Sequence, residues 1–407
     1  MRLLPFIRDN AAFLSAGFLL TFGSAFGQTF FISLFAGEIR AEFGLSHAAW
    51  GQIYAVGTLA SALVMVWSGA LTDVFRIRAL GAMILIGTAG ACLFMAAAPA
   101  WWVLVPAIFF LRFVGQGMMS HMGQVAMSRW FVATRGKALS IASLGFSVAE
   151  AILPILIVAL LVWFDWRLIW VGCAVFALLL LPVLQRLLRL ERTPQDDAKG
   201  SQAVGLDNRH WTRGEVLKHP LFWFMIPALL GPPAFNTAFF FQQVHFAEIK
   251  GWTHLELVAL FPLYTSISVA AAFGTGFIID KVGTRRLMPI YQFPMALGFV
   301  AFAMAQTPWG AALGLALLAV GSGANNPLTS AFWAEFYGTR HIGAIKAMGT
   351  AIMVLGSAIG PGLTGSLITA GIGIETQMLW IAAYFILTCV AAGIGIASAR
   401  QQSAAAS

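Results

Sequence analysis

The sequence Gly276-Phe-Ile-Ile-Asp280-Lys-Val-Gly-Thr-Arg-Arg286 joins two long apolar segments of the chain. A shorter version of it, Gly69-Ala-Leu-Thr-Asp73, occurs 207 residues earlier and also lies between two apolar segments. Two further matches keep nearly the same offset: Val114-Gly-Gln-Gly117 with Val320-Gly-Ser-Gly323, and Phe131 and Arg135 with Phe336 and Arg340. Matched sequences in the same order and at a nearly constant offset predict that the chain consists of two related halves.

The composition of the chain predicts an integral membrane protein. Of its 407 residues, 59% are hydrophobic and only 10% are charged. Soluble domains carry about 25% charged residues, because a water-soluble globule needs a polar surface. Lipid must therefore cover much of the apolar surface of this protein.

Twelve apolar segments are long enough to cross a membrane as helices, which requires roughly 20 apolar residues each. We predict an all-α membrane protein with an N-terminal six-helix bundle at 1–188, a linker at 189–219 and a C-terminal six-helix bundle at 220–407. The predicted spans are 11–36, 48–71, 79–97, 101–127, 138–162, 167–188, 220–246, 255–279, 285–305, 309–333, 344–370 and 376–398.

The basic residues predict how the spans are oriented. All but four of the 24 Lys and Arg residues fall in the termini and in the loops on the same side as the termini. The exceptions are Arg40, Arg167, Lys250 and, inside a span, Arg112. Cytoplasmic loops are rich in Lys and Arg, so both termini are predicted to be cytoplasmic. The net charge of +8 then reflects orientation and does not indicate nucleic-acid binding.

The linker is the only long polar segment of the sequence. Residues 193–201 have the composition of a flexible linker. Thr212-Arg-Gly-Glu215 has the capping-box pattern that begins a helix. We therefore expect a short cytoplasmic helix that leads into the seventh span.

These motifs resemble those of the major facilitator superfamily, and the resemblance covers nearly the whole chain. The family's loop motif, Gly-x-x-x-Asp-(Lys/Arg)-x-Gly-x-(Arg/Lys)-(Arg/Lys), is nearly complete at 276–286. In the first copy, Val74 replaces a basic residue and Arg76 replaces a glycine. The resemblance implies two pseudo-symmetric six-helix bundles, a substrate site near the midplane and alternating access by rocking of the halves.

The resemblance also implies a conformational latch at the two loop motifs. Its residues are Gly69, Asp73, Arg78, Gly276, Asp280 and Arg285. The alternative is that these residues serve only topology and tight turns. Residues 129–145 are similar to the start of the fifth span in monocarboxylate and oxalate/formate-type carriers. Spans one and eight lack the charged groups with which those carriers hold a carboxylate, so a monocarboxylate substrate does not follow.

Arg112 and Glu150 are the only charged residues well inside a predicted span. A charge in hydrocarbon costs several kcal/mol, so each should face a cavity or a partner. At about 1.5 Å per residue the two lie at similar depth in adjacent spans. In the functional hypothesis, Arg112 captures an anionic solute and Glu150 takes up a proton. The alternative is a permanent ion pair between neighbouring helices.

Other polar residues within spans are candidates for substrate or proton binding. His121 is a candidate proton relay or, equally, a hydrogen-bonded histidine of the bundle. Gln28, Asn236, Asn325 and Asn326 are predicted to face the bundle interior, because unpaired amides are costly in lipid. They either bind substrate or form hydrogen bonds between helices.

Glycine spacing and aromatic residues complete the pattern. Gly23-x-x-x-Gly27 and Gly356-x-x-x-Gly360 predict close helix crossings. Phe235 and Phe239 are spaced so that both can form one wall of an apolar pocket, which would suit a solute with an organic body.

The function predicted from these observations is secondary active transport, coupled to protons, of a small organic solute, with an organic anion as one candidate class. The alternative is a proton-driven efflux antiporter for amphipathic or drug-like compounds. Residues 149–154, Ala-Glu-Ala-Ile-Leu-Pro, lack the Gly-Pro pattern often found in such exporters. A membrane receptor or enzyme is a remote alternative, because no nucleophile–base pair, metal-ligand spacing or phosphate loop occurs.

The expected partners follow from this function. They are a small-molecule substrate, protons and the lipid bilayer, with no cofactor, no metal and no nucleic acid. We expect a monomer in a bacterial inner membrane.

Overall fold

The computed structural model describes residues 3–68, 71–131, 135–189, 205–338 and 341–406, and these residues form helices and turns without any β-strand. They group into two compact units. The first unit contains residues 1–199 together with 240–244, and the second contains 200–239 together with 245–407.

Eleven α-helices form the first unit, together with three 3₁₀ turns at Ser24–Gly27, Ser33–Phe35 and Trp101–Val103 and a π-helix at Leu111–Met119. The α-helices are α1 (Leu3–Asp9), α2 (Ala11–Gly23), α3 (Thr29–Ile32), α4 (Ala36–Phe43), α5 (His47–Ser68), α6 (Leu71–Val74), α7 (Ile77–Ala96), α8 (Leu104–Phe110), α9 (Ser120–Trp130), α10 (Arg135–Leu161) and α11 (Trp166–Leu187).

The helices that follow belong mainly to the second unit. The exception is Phe240–Val244, which groups with the first unit and spans the end of α13 and the start of α14. They are α12 (Arg213–Lys218), α13 (Pro220–Phe241), α14 (Gln243–Lys250), α15 (His254–Val258), α16 (Phe261–Val282), α17 (Thr284–Leu287), α18 (Phe293–Met304), α19 (Pro308–Tyr337), α20 (Ile342–Thr369) and α21 (Ile374–Ala406).

The all-α, multi-pass architecture predicted from the sequence is confirmed. Among the described residues, ten helices are long and apolar enough to cross a membrane. An eleventh span is the pair Ala11–Gly27 and Thr29–Phe43, which is bent by 47°. The predicted span 285–305 consists of α17, a turn and the shorter apolar helix α18. The predicted spans 11–36 and 285–305 are therefore discontinuous, and the predicted span 220–246 is divided at Gln242 between α13 and α14.

The break in the ninth predicted span has a simple cause in its sequence. Pro289 has no N–H to donate to the carbonyl four residues earlier, and Pro294 stands in the first turn of α18, where proline favours the start of a new helix. The Tyr291 N–H still donates to the Leu287 carbonyl at 3.0 Å, which keeps the chain turning between α17 and α18. The side chains of Tyr291 and Gln292 in this turn are buried within the second unit.

The linker helix predicted after Thr212 is present as α12. The Glu215 carboxylate accepts from the Thr212 hydroxyl at 2.6 Å and from the Thr212 N–H at 2.7 Å. These two bonds, the side-chain bond first, hold the pKa of the Glu215 carboxyl below its ordinary value. The N–H of Trp211 donates to the carbonyl of Tyr337 at 3.1 Å, so the linker is attached to the end of α19. Residues 190–204 lie outside the described residues.

Candidate functional site

The first span breaks at Gln28, whose backbone is extended (φ −83°, ψ 151°). A helix that ends leaves its last carbonyls without helical donors. At this break Gly27 lies directly against the backbone of the crossing π-helix. A Cβ on Gly27 would lie 2.1 Å from the carbonyl oxygen of Leu111, and one on Gly115 would lie 2.7 Å from the nitrogen of Gly27. Only glycine fits here, and the close crossing predicted from Gly23-x-x-x-Gly27 is confirmed.

The side chain of Arg112 fills the space at this break. It is 3% exposed and sits in the π-helix Leu111–Met119. Its Nη1 donates to the carbonyl of Gly27 at 3.2 Å and to Thr29 Oγ1 at 3.3 Å, and its guanidinium carbon is 5.4 Å from the centre of the Tyr54 ring. Its Nε is buried without a hydrogen-bond partner. A cation at the end of a half-helix is favoured by the helix dipole.

Glu150 lies on a helix beside the same break. It is 8% exposed on α10, one turn after Phe146, whose ring meets the ring of Phe30 at 5.8 Å. The sequence left open an ion pair between Arg112 and Glu150. Within the described part of the chain, the guanidinium of Arg112 contacts only uncharged groups, so the structure does not adopt that pair. His121 on α9 and Gln28 at the break itself are both half-buried.

A second break in hydrogen bonding lies in the second unit, inside α13. Pro232 cannot donate to the carbonyl of Ala228, which stands four residues earlier and therefore lacks its helical partner. Gln292 Nε2 donates to this carbonyl at 2.6 Å, and the Tyr291 hydroxyl donates to it at 3.2 Å. Both donors come from the turn between α17 and α18.

A buried network continues from these donors to two further helices. The hydroxyl of Tyr291 is 3.0 Å from Asn325 Oδ1, and Gln292 Nε2 is 2.7 Å from the Tyr291 oxygen. Thr388 Oγ1 donates to Gln292 Oε1 at 2.5 Å. All four side chains are buried and uncharged. The network thus satisfies a carbonyl freed by proline with neutral groups alone.

The predicted amides of the second unit mostly bond to other helices. Asn325 belongs to the network just described, and Asn236 Nδ2 donates to Ser322 Oγ at 2.7 Å. These contacts match the alternative of hydrogen bonds between helices. Asn236 Oδ1 is buried without a partner, and Asn326 is exposed.

The two predicted pocket residues of α13 pack against other aromatic rings. Phe235 meets Tyr384 at 5.0 Å and Phe385 at 5.8 Å, in edge-to-face arrangements. Phe239 stacks on Phe302 with 4.3 Å between the ring centres. Their contacts are those of packing residues within the second unit.

The predicted latch residues are described only in part. Gly69 lies outside the described residues, and Asp73 and Asp280 are described by their helical backbone alone. Arg285 is exposed on α17, and a Cβ on Gly276 would meet nothing within 4 Å. The structure thus leaves the latch a prediction.

Arg78, the remaining latch residue, makes a reciprocal pair with Gln185. Its Nε donates to Gln185 Oε1 at 2.8 Å, and Gln185 Nε2 donates back to the Arg78 carbonyl at 2.8 Å. This pair ties the start of α7 to the end of α11.

Several residues at these sites could not be predicted from the sequence. Tyr54, Thr29, Tyr291 and Gln292 are common residue types in apolar surroundings, and nothing in their spacing distinguishes them. Glu335 also escaped notice, although its carboxylate accepts from the N–H of Thr284 at 3.1 Å and from its hydroxyl at 2.6 Å. For Tyr291 and Gln292 the sequence did contain one signal, the pair Pro232-Pro233. Two prolines in a helix leave the carbonyls four residues earlier without helical donors, so other side chains must supply them.

An all-helical protein with discontinuous membrane spans and a buried cation at one of the breaks has the architecture of a membrane transporter. The chain belongs to the Major Facilitator Superfamily, which it matches over residues 17–361 and again over 259–402. It is therefore a multi-pass integral membrane transporter and not an enzyme. Its surroundings are the lipid bilayer and its cargo is a small molecule.

Solved structures with the same fold include two transporters. One is a bacterial homologue of the human lysosomal transporter Spinster, in an inward-facing and occupied conformation, with 16% identity, 95% of each chain covered and a TM-score of 0.68. Another is the nucleoside transporter NupG, with 15% identity, 94% of this chain and 98% of that chain covered and a TM-score of 0.71. No curated protein sequence matches the chain. The similarity to monocarboxylate and oxalate/formate-type carriers stays a prediction.

Proposed function

We propose that this protein is a secondary active transporter that moves a small organic anion across the membrane by alternating access, coupled to protons. The observation that carries the proposal is the guanidinium of Arg112. It is buried, its contacts within the described residues are neutral, and its Nε has no partner. An anionic solute would supply the missing charge.

The energetics of a buried cation favour this role. A buried charge is costly unless it is paired, and removing water from it strengthens its attraction for an anion. A carboxylate can accept from a guanidinium through two parallel bonds, which gives both affinity and orientation. Broken helices in transporters lie at their substrate sites. Arg112 is thus arranged to bind an anion strongly and is poorly satisfied without one.

Glu150 is the proposed proton carrier of the cycle. It is buried on α10 beside the break that Arg112 fills. An arriving anion adds a negative charge to the first unit, and a proton on Glu150 removes one. Coupling the two events keeps the charge of the buried site constant. His121, half-buried on α9, is proposed as a relay for this proton.

The proposal also covers the orientation and location of the protein, its latch and its oligomeric state. The excess of Lys and Arg in alternate loops supports cytoplasmic termini, and a bacterial inner membrane is proposed as the location. The loop motifs are proposed to act as a latch, and the protein to act as a monomer. Efflux would use the same residues in the opposite direction.

Uptake into proteoliposomes tests the proposal. Benzoate, lactate and succinate would be offered with and without an imposed pH gradient, with neutral benzamide as the control solute. We expect uptake of at least one anion above that of protein-free liposomes, accelerated by the gradient, and no such excess for benzamide. An Arg112→Gln variant should lose about 100-fold in anion uptake, because a buried charge pair is worth several kcal/mol.

An exposed arginine provides the matched control. Arg189→Gln removes the same charge from an exposed position and should leave uptake unchanged. Anion uptake that persists in folded Arg112→Gln would contradict the proposal. Uptake that responds to the gradient in the outward direction only would indicate efflux.

A further inference from the structure

A short segment from the second half of the sequence packs within the first unit. Residues 240–244, here called the inserted segment, group with residues 1–199 and not with their neighbours in the chain. Ser33 Oγ donates to the carbonyl of Phe240 at 2.7 Å. Gln243 Nε2 donates to Ser33 Oγ at 2.8 Å and to the carbonyl of Phe30 at 3.3 Å. The inserted segment is therefore bonded to the half of the first span that follows the break.

Tyr54 joins the inserted segment to the Arg112 site. Its ring centre lies 4.7 Å from that of Phe241, and its hydroxyl shares a hydrogen bond of 2.5 Å with Thr29 Oγ1. The same ring lies 5.4 Å from the guanidinium carbon of Arg112. Tyr54 is fully buried. One rigid side chain thus contacts the inserted segment, the residue after the break and the buried cation.

We propose that Tyr54 is the positioning residue through which anion binding at Arg112 releases the inserted segment. This inference rests on the proposed function for the anion and adds the residue that transmits its binding. The bond from Arg112 to Thr29 is long, at 3.3 Å. A carboxylate offers a guanidinium shorter and stronger bonds, so the guanidinium turns toward it and leaves Thr29.

The consequence for Tyr54 follows from its two attachments. When the guanidinium turns away, the ring of Tyr54 loses the attraction of the cation, and Thr29 loses the donor that fixed its hydroxyl. The ring of Tyr54 is then free to change its packing against Phe241. Because coupling is reciprocal, release of the inserted segment must also strengthen anion binding by the same factor.

Cross-linking measures whether the inserted segment is docked. A Cβ built on Gly37 of α4 would lie 3.6 Å from Cγ1 of Val244, so cysteine side chains at these two positions would be close neighbours. The reporter is Gly37→Cys with Val244→Cys, in a background where the three native cysteines are replaced by alanine. The rate of oxidative cross-linking in membranes then reports the docked fraction, and no solute is needed.

A double-mutant cycle identifies the link. Arg112→Gln removes the cation and Tyr54→Phe removes the hydroxyl, and each should slow cross-linking about 5-fold, the lower end of measured couplings between sites. The combined variant should be no slower than either one, because both changes act through the same contact. Tyr384→Phe, which removes a hydroxyl of a half-buried tyrosine that donates to the Pro227 carbonyl in the second unit, is the control and should leave the rate unchanged.

Each outcome distinguishes this inference from the proposed function. Slowing that multiplies in the combined variant, or an unchanged rate in Tyr54→Phe, overturns the role of Tyr54. A non-additive cycle in a protein that takes up none of the tested anions supports the Tyr54 link and contradicts the anion assignment. Thermal unfolding of each purified variant verifies that it is folded.

Discussion

Both units contain a carbonyl that has lost its helical donor, and they satisfy it in opposite ways. In the first unit, the carbonyl of Gly27 at the break in the first span receives a donor from the cation of Arg112. In the second unit, the carbonyl of Ala228 receives donors from the neutral side chains of Tyr291 and Gln292. The same defect is thus repaired with a charge in one unit and without a charge in the other.

This difference indicates where the chemistry of transport resides. A neutral, mutually bonded network has nothing left to offer a solute and serves to hold helices together. A buried cation with an unbonded Nε is a poor structural group, because its burial is costly, but it is a good binding group. The proposed solute binding therefore rests on Arg112 of the first unit, whereas the hydrogen bonds of the network in the second unit are those of helix packing.

The largest effect is expected from adding a methyl group at Gly27, beside the break in the first span. Gly27→Ala would place a Cβ 2.1 Å from the backbone oxygen of Leu111, which cannot move as a flexible side chain does. We expect a loss of about 3 kcal/mol or more in stability, the upper range for overpacking. Gly276→Ala, where a Cβ meets nothing within 4 Å, is the control. Equal melting temperatures for the two purified variants would show that the crossing is not tight.

A smaller effect is expected from the network of the second unit. Gln292→Leu removes the shorter donor to the Ala228 carbonyl and should cost about 1–3 kcal/mol, the penalty for an unsatisfied buried group. Pro232→Ala restores the missing N–H and should recover part of this loss in the double variant. Uptake kinetics should change little, in contrast to Arg112→Gln. A raised KM for the transported anion in Gln292→Leu would assign substrate binding to both units.

The smallest effect concerns an exposed charge of the second unit. Because the pKa of Glu215 is lowered by its bonds from Thr212, its contribution to stability is present above the ordinary value of 4.5 and is lost as the pH falls through the lowered value. Glu215→Gln should flatten the pH dependence of the melting temperature between the lowered value and 4.5. Glu256→Gln, which alters a similar capping box on Thr253, is the matched comparison. A pH profile that is the same with and without Glu215 would contradict this assignment.

Much of the architecture was predictable from the sequence, and the partners of the site residues were not. The spans, the capped helix after Thr212 and the close crossing at Gly27 follow from local patterns. The break at Gln28 has no proline to mark it, and the π-helix around Arg112 has no known signature. For Asn325 the sequence left open a substrate contact or a hydrogen bond between helices, and the structure shows a bond to Tyr291, because a helix crossing brings that hydroxyl within reach.

By itself, the sequence determined which segments are long and apolar enough to cross a bilayer and which positions within them carry a charge. These are properties of single segments, because the transfer of a segment into lipid depends on its own length and polarity. Only the tertiary structure decided that the guanidinium of Arg112 would contact Gly27, Thr29 and Tyr54. The sequence alone had left a pair with Glu150 open. Hydrogen bonds and ring contacts act over a few ångströms, so they depend on where helices cross and bend, which no single segment specifies.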